Sequence, residues 1–164
     1  MKPDVQVDYQ WSFKFYQEAD EILSEFVGKT GTPRPSSPER DMHECSDYEL
    51  NVGGQDVMIR TRRRGFFKRF GDFTIRSWRA SQVPTELDKI RDGHGDYYLY
   101  LSNVYDRSIY YCLWSANDVR DAGIFDMDWP QIINRDRQTG FITIPYDVIE
   151  PFIMREGYWP KKAT

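Results

Sequence analysis

The chain has 164 residues, 40% of them hydrophobic and 16% aromatic, and carries a net charge of −4. That length and apolar content suit one domain with its own core and exclude a chain that is disordered throughout. No apolar run is long enough to cross a bilayer and "MKPDVQVDYQ" lacks the apolar region of a secretory signal, so a cytoplasmic protein with no membrane partner is expected.

The first element is a helix over residues 10–27. Phe15, Ala19, Ile22, Leu23 and Phe26 fall on one face at i, i+4, i+7, i+8 and i+11, and Gly28 supplies a stop. Residues 29–40, "KTGTPRPSSPER", hold three prolines and read as a loop. Three strands follow. "SDYELNV" alternates Tyr48, Leu50 and Val52 with polar residues, and Gly53-Gly54 turns it into "QDVMIRTR". The third, "GDFTIRSW", sets Phe73, Ile75 and Ser77 against Asp72, Thr74, Arg76 and Trp78. "PTELDKIRDGHG" reads as a helix, with Pro84 near the first turn, Glu86 where the helix dipole favours an acid, and Gly93 as its end. "DYYLYLSNV" and "SIYYCLW" are two more strands, and "SANDVRDAG" is a short helix capped by Ser115. "GFITIP" is a last strand, "YDVIEPFIMREG" a short helix with Pro151 inside it, and 160–164 a flexible tail. The order α-β-β-β-α-β-β-α predicts a single α+β domain, with a central mixed or antiparallel sheet flanked by helices.

Charge is distributed unevenly over this framework. Residues 60–79, "RTRRRGFFKRFGDFTIRSWR", contain Arg60, Arg62, Arg63, Arg64, Lys68, Arg69, Arg76 and Arg79 against a single acid, Asp72. The stretch carries +7, and the other 144 residues carry −11. Phe66, Phe67, Phe70, Phe73 and Trp78 are interleaved with the cations. Cations beside aromatics contact phosphates and stack on bases, so all eight are candidate nucleic-acid contacts. The same residues would anchor an acidic protein partner. They would equally form a solvated face answering the chain's own acids.

Other chemistry is sparse. Cys45 and Cys112 are the only cysteines and are expected to be reduced and inert. His43, Glu44 and Asp47 in "DMHECSD" offer metal ligands or a plain polar surface. "DGHGD", 92–96, fits a phosphate or metal loop, and fits a glycine-rich turn better. The phosphate loop G-x-x-x-x-G-K-[ST], the dinucleotide fingerprint G-x-G-x-x-G and the nucleophile elbow G-x-S-x-G are all absent from the chain.

The order of helix, three strands, helix and strand over residues 10–115 resembles the core of PD-(D/E)xK, or restriction-endonuclease-like, nucleases. Asp47 in "SDYEL" matches the acid on the family's second strand, and Glu86 in "TELDK" matches an acid borne on the following helix. The strand matched to the family's third departs from the pattern, because "VMIRTR" puts Arg60 and Arg62 where an acid and a lysine stand in the family. An arginine cannot act as a base near neutrality, but it can clamp a phosphate. Small phage-type proteins are similar as well, with "DMHECSDYEL", "FTIRSW", "TELDKI" and "GDYYLY" in that order. The resemblance implies a nucleic-acid-interacting protein acting on DNA or RNA. Mg²⁺-dependent phosphodiester cleavage would use Asp47, Glu86 and Lys89, with Mg²⁺ held by Asp47 and Glu86. It equally implies an inactive relative that acts as a phage-type regulator or inhibitor by binding nucleic acid or protein. The same side chains have plain structural roles open to them: cross-strand acid–arginine pairs, and a Glu86–Lys89 pair on a helix surface.

Overall fold

A computed structural model describes residues 16–27, 34–37, 39, 48–50, 54–62, 71–103 and 108–160. Its elements are α1 (Tyr16–Val27), β1 (Arg34–Pro35), β2 (Tyr48–Leu50), β3 (Gln55–Arg62), β4 (Asp72–Arg79), α2 (Glu86–Arg91), β5 (Tyr97–Asn103), β6 (Ile109–Ser115), α3 (Ala116–Asp121), β7 (Gln131–Ile133), β8 (Thr139–Pro145), α4 (Tyr146–Ile149) and β9 (Ile153–Trp159), with 3-10 turns at Ile124–Asp126 and Glu150–Phe152. This is the α+β domain that the alternation of patterns predicts.

The larger sheet has six strands in the order β1-β2-β3-β5-β6-β9. It is mixed: β3 and β5 run parallel, and the other neighbours run antiparallel. Both faces are covered, which explains why its central strands are apolar on alternate and intervening positions alike. One face packs Val57, Leu99, Leu101, Ile109 and Leu113 under α1, whose Ala19, Ile22 and Leu23 are buried as its periodicity requires. Burying Ile22 and Leu23 contributes roughly 2 kcal/mol each. The other face presents Met58, Tyr98, Tyr100, Cys112 and Trp114 to a second core completed by Phe73, Ile75, Ile142 and Ile144. Tyr98 stacks on Trp114 at 4.6 Å, and Phe73 meets Tyr100 edge-on at 5.1 Å.

Three expectations are corrected. The strand at 72–79 does not extend the β2–β3 hairpin into a meander. It joins β8 and β7 in a separate three-stranded sheet of order β4-β8-β7, and β5 takes the place beside β3. Strand pattern reports which face is buried and not which neighbour covers it, so it is blind to this exchange. Within β4, the register shifts between Arg76 and Trp78. The extra residue moves Trp78 onto the face of Phe73 and Ile75, opposite Gly140, and away from the Arg76 face. Finally, residues 146–157 are not one helix. Pro151 has no N–H to continue α4, which ends at Ile149, and Ile153–Trp159 becomes the edge strand β9. The short strands β1 and β7 also lie where no element was expected.

Candidate nucleic-acid interface

Among the described residues, β4 pairs with a strand on one side only, with β8. Its other edge meets the face of the larger sheet, and side chains close that edge where a strand would otherwise bind. Arg62 on β3 donates to the Asp72 carbonyl at 3.1 Å and to its Oδ1 at 2.6 Å. Glu86, the first residue of α2, accepts the Arg76 backbone N–H on Oε2 at 2.9 Å. Tyr98 donates its hydroxyl to Glu86 Oε1 at 3.0 Å and lies 3.5 Å from the Thr74 carbonyl. Arg60 completes the group with an ion pair to Glu86 Oε2 at 3.6 Å. Besides sharing a core, the two sheets are therefore joined along the outer edge of β4. Arg60 and Arg62 on one sheet and Thr74 and Arg76 on the other line the resulting corner.

Local sequence explains the placement of Glu86. Thr85 and Asp88 form a capping box: Thr85 Oγ1 accepts the Asp88 N–H at 3.3 Å, and Asp88 Oδ2 accepts the Thr85 N–H at 2.7 Å. This fixes the helix start so that Glu86 points at β4. Leu87 and Ile90, on the buried side of the same helix, anchor it in the core.

Electrostatics in the corner are dominated by crowded positive charge. Burial lowers the affinity of Arg76 for its proton, the neighbouring charge of Arg60 lowers it further, Glu86 opposes both, and Arg79 adds a further lowering. The charges of Arg60, Glu86 and Arg79 thus all act on Arg76. Burial drives the Tyr98 hydroxyl well above its ordinary range, reinforced by the Glu86 charge, so it stays a neutral donor. Burial also raises Tyr100, while Arg62 and Arg60 pull it back.

The residues singled out in the sequence divide into three groups. Arg60, Arg62, Arg76, Arg79 and Glu86 converge on the corner. Lys89 lies one helical turn after Glu86 and is half-buried. Asp47, Arg63, Arg64, Lys68 and Arg69 lie outside the described residues, as do Cys45, His43 and Glu44. Both oxygens of Glu86 accept hydrogen bonds, from the Arg76 N–H and the Tyr98 hydroxyl, and Arg60 lies 3.6 Å from Oε2. Among the described residues no group of three His, Cys, Asp or Glu side chains is placed to hold a metal.

"DGHGD" is a structural turn. Gly93 and Gly95 adopt φ of 95° and 76°, conformations that favour glycine. Arg120 holds the turn, donating to the carbonyls of His94 and Gly95 at 2.8 and 3.0 Å and to that of Ile90 at 2.6 Å. The sequence pattern carries no sign of the role of Tyr98, and Arg135 and Arg137 lie in "NRDRQ". Their one visible signal was two cations within a turn-like run of Asn, Asp and Gly. Compared with known proteins, the chain matches no family model, no curated protein and no solved structure.

Proposed function

We propose that this is a nucleic-acid-binding protein that acts by occupancy in the cytoplasm, on a core related to the PD-(D/E)xK nucleases, in the manner of a phage-type regulator or inhibitor. The observation that carries the reading is the cluster of guanidinium groups at the corner. Arg60, Arg62, Arg76 and Arg79 from β3 and β4 gather around Asp72 and Glu86. Crowded, partly desolvated guanidinium groups raise the free energy of the unbound protein, and a phosphate diester relieves that cost. The chain between β3 and β4 adds four further cations, Arg63, Arg64, Lys68 and Arg69, next to this place in sequence. With Arg60 and Arg62 in place of the acid and lysine of the nuclease pattern, and Glu86 committed to Arg60 and to β4, the chemistry favours holding a phosphodiester over cutting it.

The test is fluorescence anisotropy with labelled single- and double-stranded DNA and RNA, across a salt series, with Mg²⁺ and with EDTA. Binding is expected to weaken steeply as salt rises and to be the same with EDTA. An Arg76→Ala/Arg79→Ala variant is expected to reduce the slope of log K against log salt by about two. Absence of binding at low salt would overturn the reading. Mg²⁺-dependent cleavage lost in Glu86→Ala would replace occupancy by catalysis.

A further inference from the structure

The smaller sheet has an outer face that the core does not use. Antiparallel partners share a face, so Arg76, Phe141 and Ile132 form one row straight across β4, β8 and β7. Thr143 flanks the row on one side, where its partner Thr74 is buried, and Arg79 and Thr139 flank it on the other. The opposite face carries the buried Phe73, Ile75, Ile142 and Ile144. Ile132 is 45% exposed and Phe141 is half-buried.

The hairpin between β7 and β8 adds charge at the Arg79 end. Ala80 donates its N–H to the Gln138 carbonyl at 2.9 Å, which ties that turn to the end of β4. Arg135 and Arg137 are exposed there. The one acid of the turn, Asp136, is used inside it, accepting the Gln138 N–H on Oδ1 at 2.9 Å. Arg137 sits at φ 52°, a conformation in which glycine or asparagine is the less strained residue. Strain of this kind concentrates where a side chain serves a purpose other than stability.

Resting on the nucleic-acid reading above, we infer that this outer face binds the bases of a single strand, with Phe141 and Ile132 as the stacking and apolar platform and Arg76, Arg79, Arg135 and Arg137 along its phosphates. The row asks for a ligand with both repeated negative charge and flat apolar surfaces. A single strand offers both. A duplex stacks its bases away and offers only charge. The face continues into the corner through Arg76, so one strand meets both surfaces.

The experiment measures anisotropy of labelled oligo-dT, oligo-U and a blunt duplex of the same length, with polyglutamate as a competitor. Single strands are expected to bind more tightly than the duplex. Phe141→Ala is expected to weaken single-strand binding at least about five-fold without changing the salt slope, because stacking releases no counterions. Phe141→Leu, which keeps apolar volume and loses the ring, should show the same direction, and urea midpoints confirm that both variants fold. Arg137→Gly is expected to lower the slope by about one while leaving the fold at least as stable. Equal binding of duplex and single strand, or a Phe141→Leu effect within two-fold, overturns this inference and leaves the nucleic-acid reading standing. No binding of any oligonucleotide overturns both. Displacement by polyglutamate at matched charge overturns it in favour of an acidic protein.

Discussion

Replacing Glu86 by alanine separates a structural carboxylate from a catalytic one. In the folded protein its side chain is only 14% exposed, accepts the Arg76 N–H and the Tyr98 hydroxyl, and faces Arg60. Alanine would strand the Arg76 N–H and leave the fully buried Tyr98 hydroxyl only its long contact to the Thr74 carbonyl. It would also leave Arg60 and Arg76 without their shared counter-charge. A buried donor left unsatisfied costs about 1–3 kcal/mol. Two of them, with some relaxation and water entry near Arg60, give a loss of about 3 kcal/mol. Glu86→Gln keeps the shape and one acceptor but turns an amide N–H₂ toward a donor, for a loss of about 1–2 kcal/mol. Urea unfolding followed by tryptophan fluorescence reads both. A catalytic or metal-binding carboxylate held among arginines only for chemistry would be replaceable at no cost in stability. A Glu86→Ala midpoint within 0.5 kcal/mol of the parent, about the scatter of an indifferent surface substitution, would refute the argument.

Three further outcomes are expected. Arg120→Ala should cost about 2–3 kcal/mol, since it removes four hydrogen bonds, one of them to Asn117 Oδ1 at 2.7 Å, and leaves the His94, Gly95 and Ile90 carbonyls to water; amide exchange at 93–96 should rise with it. Gly95→Ala should cost about 2–3 kcal/mol by thermal unfolding, because its φ is 76° and the new Cβ would lie 2.6 Å from the buried Met58 side chain. Stability should also fall on the alkaline side. Burial, with help from the Glu156 charge, pushes the Cys112 thiol up to about 12 from its ordinary 9.0, so above pH 9 the unfolded chain releases a proton that the folded one keeps. That contribution is intact below pH 9 and is lost as pH rises toward 12, by up to about 4 kcal/mol. Urea midpoints from pH 8 to 11 should drop, and in a Cys45→Ser background a thiol reagent should modify Cys112 only as fast as the protein unfolds.

The legible part of the fold was its periodicity. Ala19, Ile22, Leu23 and Phe26 announced α1, and the alternation in 55–62 and 72–79 announced β3 and β4. What stayed hidden was partnership. The Phe73–Ile75 pattern is the same whether β4 lies beside β3 or beside β8, seventy residues later, so the second sheet left no local mark. The bulge at Ser77 is also invisible, and it alone decides whether Trp78 faces the core or the solvent. The candidate site was half legible. Charge density marked 60–79, but the sequence could not show that Arg62 reaches Asp72 or that Glu86 bonds the Arg76 backbone. Those contacts are set by how one sheet edge lands on another sheet's face, which no spacing encodes.

The same arrangement bears on the order in which the molecule can assemble. The β2–β3 hairpin and the β5–β6 pair are built from neighbouring segments and can form as they emerge from the ribosome. By contrast, β4 must wait for β8, because among the described residues its strand partner lies at 139–145. Contacts so distant in sequence form late, after the loop-closure entropy has been met. In a nascent chain that ends before residue 139, β4 lacks the β8 partner it has in the folded protein, so its pairing edges are open. Positive charge there keeps other strands of like charge away during that interval, as edge cations do in finished sheets. The arginines that line the corner in the folded protein would thus already act before folding is complete, as guards against pairing with the wrong chain.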